Sequence, residues 1–353
     1  MKYIFCLSGD YINLAKEEVH SLFKVKNSKL LGNILIADLK NKHSLKKHDK
    51  RLALTKHICR FLFECKFNEL IGSIKSYDWN SIYKLNFCLR VYNFNYNNKN
   101  LKDFSEKQLA AYIWRNLKNP KVDLENPKTK IELFFAKNEV YCGLLIYENK
   151  GDFESRKPHL RPFPHPSSLH PKAARALVNI SEIRETEILL DPFCGTGGFL
   201  IEAGLMNIKT IGYDINKIMA DGCKENLNYF KIKKYKIKTK NALDINDKFD
   251  CAVTDLPYGL NSNIYLKSGS KSLKNKPNKI NLKINKKYAI KNIEQFYLKF
   301  LKNLRKKLKN KAVIIFPSYV NYKRLLKTAK FKTEKEFSIY VHRSLTRRIV
   351  KVI

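Results

Sequence analysis

The 353-residue sequence predicts an α/β protein in two parts, and three observations support this prediction. In the first 150 residues, pairs of candidate strands are crossed by helices, which is typical of a compact α+β domain. A proline-rich segment then interrupts the regular pattern. From residue 172 onward, helices and strands alternate, and such alternation predicts a largely parallel sheet with helices on both faces.

The first 50 residues predict a small subdomain that contains a strand, a helix and a second strand. The apolar run Tyr3–Leu7 is the first strand, and Asn33–Leu39 is the second. Between them, apolar residues recur on one face of a helix, and Asp10 is placed to cap its N-terminus.

Residues 51–150 predict a second α+β unit. Ser105 and Gln108 form a capping-box signature for a helix, and Asn138 is placed at the turn of a hairpin. The predicted elements are a helix around Leu52–Phe63, a strand at Phe87–Asn95, a helix that begins at Ser105 and stops before Pro120, and hairpin strands at Lys130–Lys137 and Glu139–Tyr147.

The composition changes at Arg156–Pro171, which holds five prolines, three histidines and two arginines in 16 residues. Proline restricts its own backbone and that of the preceding residue, so this stretch is predicted to be extended rather than helical. We therefore place a linker at residues 151–171 and a second domain at residues 172–353.

The second domain follows the alternating pattern up to an antiparallel hairpin, whose strands are joined by too few residues for a helical crossover. The predicted elements are a helix at Lys172–Ile180, a strand at Glu187–Asp191, a helix, a strand at Lys209–Asp214, a helix from Asn216, strands at Tyr235–Thr239 and Asp250–Thr254, a helix at Ile293–Leu308, a strand at Ala312–Phe316, a helix, and strands at Glu336–His342 and Arg347–Val352.

One stretch breaks this pattern, because no acidic residue occurs between Asp255 and Glu294. Its content of Lys, Asn and Ser predicts a mobile basic loop. Two interpretations of the loop, residues 260–291, stay open: a flap that orders on nucleic acid, and a solvated insertion.

The charge balance indicates a polyanionic partner. Lys and Arg number 69 and Asp and Glu number 32, which gives a net charge of +37. Such an excess favours nucleic acid as the partner. The alternative is a lysine-rich proteome that raises the lysine content of every protein.

Other features exclude several classes of protein. The longest uninterrupted apolar run has six residues, Leu109 to Trp114, whereas a membrane span needs about 20.

The eight cysteines form no CxxC pair and the histidines no metal-binding spacing, so we expect reduced, buried thiols and no protein-ligated metal. We expect a cytoplasmic monomer that has no contact with a membrane.

A glycine turn, DPFCGTGG at residues 191–198, lies where a strand becomes a helix. Glycines there permit positive φ and bring backbone N–H groups close to a ligand. Asp214 ends the next strand, within reach of ribose hydroxyls. Because GxGxxG is absent, S-adenosylmethionine fits this pattern better than NAD. The alternative is a turn whose glycines serve packing only.

A second motif, DLPY at residues 255–258, follows the strand that should lie beside the glycine turn. A carboxylate and a backbone carbonyl that accept the two N–H bonds of an exocyclic amine would direct its lone pair at a methyl donor. Tyr258 can stack on the base, and Pro257 can stiffen the turn. The alternative is a strand end that is capped by Asp255 and stopped by proline.

These motifs resemble the [D/N]PPY group of amino-methyltransferases, with Leu256 in place of the first proline. More closely, the sequence resembles the archaeal tRNA guanosine N2-methyltransferases that act on position 10 and carry an N-terminal THUMP domain. The resemblance spans nearly the whole chain, through MKYIFCLSGD, EVYCGLLIY, RKPHLRPFPHPSSLHPKAARALVN, DPFCGTGGFLIEA, DLPYG and HRSLTRRIV.

The resemblance implies a ferredoxin-like subdomain at residues 1–50, a THUMP RNA-binding domain at 51–150 and a Rossmann-like methyltransferase domain at 172–353. It implies four catalytic residues: Asp255, Leu256, Pro257 and Tyr258. S-adenosylmethionine would be bound by Asp191, Phe193, Cys194, Gly195, Gly197, Asp214, Ile215, Asn241 and Ala242. Leu256 should loosen the catalytic turn, and the long basic loop departs from the family pattern.

The sequence therefore predicts an enzyme that transfers one or two methyl groups from S-adenosylmethionine to N2 of guanosine 10 in tRNA. The target base would have to flip out of its helix, at a cost of a few kcal/mol. Two alternatives stay open: an adenine-N6 methyltransferase that acts on DNA or RNA, and a non-catalytic RNA-binding protein.

Overall fold

The computed structural model describes residues 1–40, 45, 48–94, 105–166, 168–258, 279–343 and 345–353. The chain divides into two compact units, Met1–Gly151 and Asp152–Ile353, and each contains one seven-stranded sheet. The predicted α/β fold class is confirmed. Among the described helices, none combines the length and the apolar composition that a membrane span requires.

In the first unit, the strand order is β2-β3-β1-β4-β7-β6-β5, and only β5 and β6 run parallel. The elements are β1 (Lys2–Leu7), α1 (Ile12–Leu22), β2 (Val25–Leu31), β3 (Ile34–Leu39), β4 (Thr55–Lys66), α2 (Leu70–Ser76), β5 (Phe87–Asn93), α3 (Glu106–Arg115), β6 (Thr129–Ala136) and β7 (Glu139–Glu148).

Several predictions for this unit are confirmed. The predicted strands near Tyr3, Asn33 and Phe87 are present, and β6 and β7 form the predicted hairpin. The capping box of α3 is complete, because the Gln108 backbone N–H donates to Ser105 Oγ at 3.1 Å and the Ser105 N–H donates to Gln108 Oε1 at 2.9 Å.

The helix predicted around Leu52–Phe63 is wrong, because this segment enters strand β4 in the middle of the sheet. His57, Ile58 and Cys59 are all buried, so the strand lacks the alternation that marks a half-buried strand.

The sequence pattern does not predict strand β2 or helix α2. Because β4 pairs with β1, one sheet crosses the predicted boundary at residue 50, and the ferredoxin-like and THUMP subdomains stay predictions.

The predicted helix cap at Asp10 is also wrong. Helix α1 begins at Ile12, and its N-cap residue is Tyr11, which makes no side-chain cap hydrogen bond. The carboxylate of Asp10 instead accepts a hydrogen bond from Ser8 Oγ at 3.3 Å. An aromatic residue is unusual at an N-cap, whereas aspartate is preferred there, so the sequence pattern favours Asp10.

A buried ion pair lies in the sheet of the first unit, with His57 Nε2 2.9 Å from Glu132 Oε2. Glu132 also accepts hydrogen bonds from Cys59 Sγ at 3.0 Å and from Tyr92 Oη at 3.3 Å. His57 lies on β4 and Glu132 on β6, and strand β7 runs between them. Gly143 on β7 leaves room for the Cys59 side chain, since a Cβ on residue 143 would lie 2.5 Å from Cys59 Cβ. Burial alone would lower the pKa of His57, but its contacts with Cys6 and Glu132 raise the pKa to about 9.

We expect Glu132→Gln to destabilise the first unit by about 1 to 3 kcal/mol, because buried donors lose a charged acceptor. The pKa of His57 is raised from 6.5 to about 9, so the part of the effect that comes from the His57–Glu132 pair should be complete below pH 6.5 and disappear as the pH rises through 9. Urea unfolding followed by tryptophan fluorescence measures it, because both tryptophans, Trp79 and Trp114, lie in this unit.

The control is Glu64→Gln. Glu64 pairs with Lys2 at 3.0 Å, but its side chain is 53% exposed, so its loss should cost less than about 1 kcal/mol. Equal unfolding midpoints for the two variants at pH 6.5 would contradict the prediction.

In the second unit, the strand order is β10-β9-β8-β11-β12-β14-β13, with the first five strands parallel and β14 antiparallel to both neighbours. The elements are α4 (Pro171–Ile180), β8 (Ile188–Asp191), α5 (Gly198–Gly204), β9 (Lys209–Asp214), α6 (Lys217–Tyr229), β10 (Tyr235–Thr239), β11 (Cys251–Asp255), α7 (Lys279–Lys307), β12 (Ala312–Pro317), α8 (Tyr322–Thr328), β13 (Thr333–His342) and β14 (Leu345–Val352).

The parallel sheet and the closing antiparallel hairpin are confirmed. The strand order reverses between β8 and β11. The connection after β8 leads to one side of the sheet and the connection after β11 leads to the other, so a crevice opens at the carboxyl ends of these two strands. The main core of the unit packs against the sheet around β12 and the apolar face of α7, with Tyr297, Phe300 and Leu304 fully buried.

The loop predicted between Asp255 and Glu294 is only partly described. Residues 259–278 lie outside the described residues, and from Lys279 the chain is helical, so a loop up to residue 291 is wrong. The sequence explains the longer helix, because no proline or glycine follows Pro277 until after Leu308.

Candidate active site

The glycine turn connects the end of β8 to the start of α5. Gly195 has a φ of +50° and Gly197 a φ of +87°, in the left-handed region that favours glycine. A Cβ on Gly197 would lie 2.8 Å from Cys223 Sγ, so no side chain fits there. The turn therefore requires glycine at both positions. The backbone of Gly195 and Gly197 carries no side chain that could keep a ligand away from it.

Asp214, at the end of β9, is joined directly to this turn. Its Oδ2 accepts a hydrogen bond from the Gly195 N–H at 3.0 Å, and its Oδ1 accepts one from the Asn216 N–H at 2.9 Å. The Lys240 N–H donates to the Asp214 carbonyl at 2.9 Å, which brings the segment after β10 alongside. Burial raises the pKa of Asp214.

Asp191 lies beneath the turn and is only 1% exposed. Its Oδ1 accepts hydrogen bonds from Thr254 Oγ1 at 2.8 Å and from the Phe193 N–H at 3.2 Å. Burial raises the pKa of Asp191 to about 7. Because Thr254 precedes Asp255 on the neighbouring strand, this hydrogen bond joins the two motifs that the sequence singled out.

Two other predicted cofactor residues of the turn point into the protein. The ring of Phe193 packs against Phe300, with 5.0 Å between ring centroids. The Cys194 side chain is buried in the apolar cluster between α5 and α6. Only the backbone of Cys194 is therefore available to a ligand.

The remaining cofactor candidates follow β9 and β10. Ile215 is 60% exposed beside Asp214, which suits a side chain that covers a ligand. Asn241 Oδ1 accepts a hydrogen bond from the Leu243 N–H at 2.9 Å, and Ala242 is buried. Ile215 is thus exposed directly after Asp214, and the Asn241 turn follows Lys240, whose N–H donates to the Asp214 carbonyl.

The carboxylate of Asp255 ends β11 and has two partners. Tyr258 Oη donates a hydrogen bond to Asp255 Oδ1 at 2.7 Å, and Arg347 Nε lies 3.3 Å from Asp255 Oδ2. Arg347 Nε also donates to Tyr258 Oη at 2.7 Å. Burial raises the pKa of Asp255 to about 6, whereas Arg347 and Tyr258 act in the opposite direction.

The backbone of the DLPY turn is held from several sides. The Leu256 N–H donates to strand β12 at 3.1 Å, and the Leu256 side chain is buried in the main core. The Pro257 carbonyl accepts a hydrogen bond from Tyr297 Oη, and the Tyr258 carbonyl accepts one from Tyr319 Oη. These contacts hold the turn without the first proline, and the expected loosening by Leu256 stays a prediction.

The proline-rich linker is fastened onto the glycine turn. Asn226 of α6 accepts a hydrogen bond from the Phe163 N–H and donates to the Phe163 carbonyl, both at 2.9 Å, and it donates to the Thr196 carbonyl at 3.0 Å. Ser168 Oγ lies 3.1 Å from Thr196 Oγ1. The Phe163 ring occupies the place where a Cβ on Gly222 would be, so the linker packs closely on α6.

Several residues of this site were not found by sequence reasoning: Thr254, Tyr297, Tyr319 and Arg347. A signal existed only for Arg347, which lies in the HRSLTRRIV segment that contributed to the resemblance. The tyrosines come from α7 and from the turn after β12, and nothing local in the sequence relates them to DLPY.

Comparison with known proteins indicates a methyltransferase domain in the second unit. Residues 158–264 match a protein family described as RMKL-like, methyltransferase domain. The crystal structure of TrmN from Thermus thermophilus superposes with a TM-score of 0.53 at 15% identity, covering 100% of this chain and 99% of that chain, which supports the fold.

Closer relatives are found in archaea. A tRNA (guanine(10)-N2)-dimethyltransferase from Methanothermobacter thermautotrophicus is 31% identical over 312 residues, which cover 86% of this chain and 83% of that protein. A second, from Pyrococcus abyssi, is 31% identical over 288 residues, covering 79% of this chain and 77% of that protein. The resemblance seen in the sequence is thus confirmed, and this chain belongs to the archaeal tRNA (guanine(10)-N2)-methyltransferase family.

Proposed function

We propose that this chain transfers methyl from S-adenosylmethionine to the 2-amino group of guanosine 10 in tRNA. One observation carries the proposal: the Asp255 carboxylate and the glycine turn lie at the carboxyl ends of neighbouring strands, joined by the Thr254–Asp191 hydrogen bond. A methyl donor on the turn and an amine on Asp255 would then meet in one crevice.

The residues present fit this cofactor, which supplies a methyl group on a positively charged sulfonium. Each oxygen of Asp214 accepts one backbone N–H, and a carboxylate has about four acceptor positions, so Asp214 can also accept two ribose hydroxyls. Gly195 and Gly197 present backbone without side chains to the amino acid part. Ile215 can cover the adenosine.

Asp255 orients the amine of the target base. Its carboxylate accepts one N–H bond, and the carbonyl of Leu256 or Pro257 accepts the other; the Pro257 carbonyl is held in place by Tyr297 Oη. With both N–H bonds held, the nitrogen lone pair points at the methyl group. The Tyr258 ring then lies against the base, and Arg347 and Tyr319 hold this tyrosine in place.

The proton need not leave before the methyl group arrives. The incoming methyl transfers positive charge to the amine, and the ionised Asp255 stabilises that charge. The Arg347 guanidinium favours the ionised form of Asp255 and holds the carboxylate in one orientation. Asp255 therefore acts mainly as an orienting acceptor, and the surplus proton departs after transfer.

The first unit is proposed to hold the tRNA. The net charge of +37 belongs to the whole chain and supports a polyanionic substrate for the protein. The first unit is assigned to tRNA because a position-specific modification needs contacts outside the target nucleotide. The assignment of residues 51–150 as a THUMP domain, and a cytoplasmic monomer as the working form, stay predictions from the sequence.

Nucleoside mass spectrometry of treated tRNA tests the proposed function and counts the methyl groups. The sharp control is the same tRNA with inosine at position 10, which lacks only the 2-amino group. We expect N2-methylated guanosine from the first RNA and no product from the second. Product from the inosine RNA, or N6-methyladenine from duplex DNA, would instead support another target.

Arg347→Met should move the acidic limb of the methyl-transfer rate to higher pH. The pKa of Asp255 is about 6 beside Arg347, and loss of the guanidinium raises it further, so the ionised form appears only at higher pH. Single-turnover rates between pH 5.5 and 9 measure the shift, in steps of roughly half a pH unit.

The matched control is Arg348→Met. Arg348 is the next residue on β14, and its Nη1 donates to Ser338 Oγ at 2.7 Å on the exposed face of the hairpin. Its loss should leave the pH profile unchanged. Identical profiles for both variants would show that Arg347 does not act on Asp255.

A further inference from the structure

Arg161 of the linker is a buried charge with unused donors. Its side chain is 3% exposed, and its Nε donates a hydrogen bond to the Arg156 carbonyl at 3.0 Å. Both terminal nitrogens, Nη1 and Nη2, are buried and have no hydrogen-bond partner among the described residues. Buried N–H groups without an acceptor cost free energy, most of all on a charged side chain.

The neighbouring carboxylate does not neutralise this charge. Glu202 is fully buried, and its Oε1 pairs with Arg156 Nε while its Oε2 pairs with Arg175 Nε, both at 2.8 Å. Three guanidinium groups thus surround one carboxylate, and two of them already use it. Burial lowers the pKa of Arg161, Glu202 acts in the opposite direction, and Arg156 lowers the pKa further. The cluster therefore has an excess of positive charge.

The unused donors lie against the glycine turn. Arg161 Nη1 is 3.9 Å from the place where a Cβ on Gly198 would be, and Gly198 is the last residue of the turn and the first of α5. The hydrogen bonds of Phe163 to Asn226 and of Ser168 to Thr196 hold the linker after Arg161, and the ion pair of Arg156 with Glu202 holds it before Arg161. The guanidinium is thus held in place beside the backbone that the cofactor would approach.

We propose that Arg161 binds the carboxylate of the amino acid part of S-adenosylmethionine; this inference rests on the proposed function. With the ribose on Asp214, the amino acid part reaches the glycine turn, and its carboxylate is the anion that it brings there. Guanidinium and carboxylate match in shape and charge and form paired hydrogen bonds. A phosphate of the RNA backbone is disfavoured, because Arg161 is too deeply buried for a polymer to reach.

The test compares two ligands that differ only in this carboxylate: S-adenosylmethionine and decarboxylated S-adenosylmethionine. Isothermal titration calorimetry on the full chain should show that the unmodified protein prefers the carboxylated ligand by at least about tenfold. Arg161→Met should weaken S-adenosylmethionine about tenfold to a hundredfold and leave the decarboxylated ligand unchanged. Arg161→Lys should recover part of the preference.

The matched control is Arg184→Met. Arg184 is an exposed arginine of the same unit, just before β8, and its replacement should change the affinity for neither ligand. Equal affinities of the unmodified protein for the two ligands would overturn the inference, whatever the variants do. So would an Arg161→Met protein that loses both ligands equally, or one that binds S-adenosylmethionine normally and tRNA weakly. If the unmodified protein binds neither ligand, the proposed function fails instead.

Discussion

Asp255→Ala should transfer methyl about a hundredfold more slowly, or worse, while it binds S-adenosylmethionine and tRNA almost normally. The variant loses the acceptor that holds one N–H bond of the amine and faces the charge that develops on it, which corresponds to a barrier increase on the order of 2.7 kcal/mol. Single-turnover transfer with saturating substrates separates this loss from binding.

Asp255→Asn is the informative companion. An amide oxygen still accepts an N–H bond, but it carries no charge and its pairing with Arg347 is weakened. We expect a rate between those of the alanine variant and the unmodified enzyme. An alanine variant that transfers methyl at the normal rate would remove Asp255 from the reaction.

Asp214→Ala should weaken S-adenosylmethionine binding by about a hundredfold and leave tRNA binding unchanged. Two hydrogen bonds from ribose to a carboxylate account for about 1.5 to 3 kcal/mol. The variant also loses the bonds from the Gly195 and Asn216 backbones, which hold the glycine turn against the end of β9. Calorimetry with the cofactor and filter binding with tRNA give the two affinities.

Asp221→Ala is the control for this prediction. Asp221 lies on α6, its side chain is 46% exposed, and it pairs only with surface lysines among its described ionic contacts, so cofactor affinity should not change. Equal cofactor affinity for the two variants would contradict the assignment of the β9 end to ribose.

The fold of the second unit was largely predictable, because parallel strands alternate with helices and their ends carry polar motifs. Asp191, Asp214 and Asp255 all end strands in the structure, as expected. The first unit was harder to predict. Strand β4 is buried on both faces at its start, and a short apolar run of this kind has the same pattern in a helix and in a central strand.

The candidate site was predictable only where its residues are neighbours in sequence. Arg347 meets Asp255 because β14 lies next to β12, opposite Pro317 in the register, and no local pattern encodes that pairing. The hydroxyl of Tyr297 reaches Pro257 from a helix 40 residues away. Arg161 likewise looked like part of a spacer until the packing of the linker on α6 was known.

The position of β14 bears on when a newly made chain becomes active. This strand lies between β12 and β13, although it follows both in sequence. A nascent chain emerges from the ribosome N-terminus first, so it can form the glycine turn and expose Asp255 long before Arg347 is synthesised. Until β14 pairs with β12 and β13, the Asp255 carboxylate lacks its ionic partner Arg347, and β12 keeps an unpaired edge. Chains stalled before residue 345 should therefore be catalytically silent and dependent on chaperones.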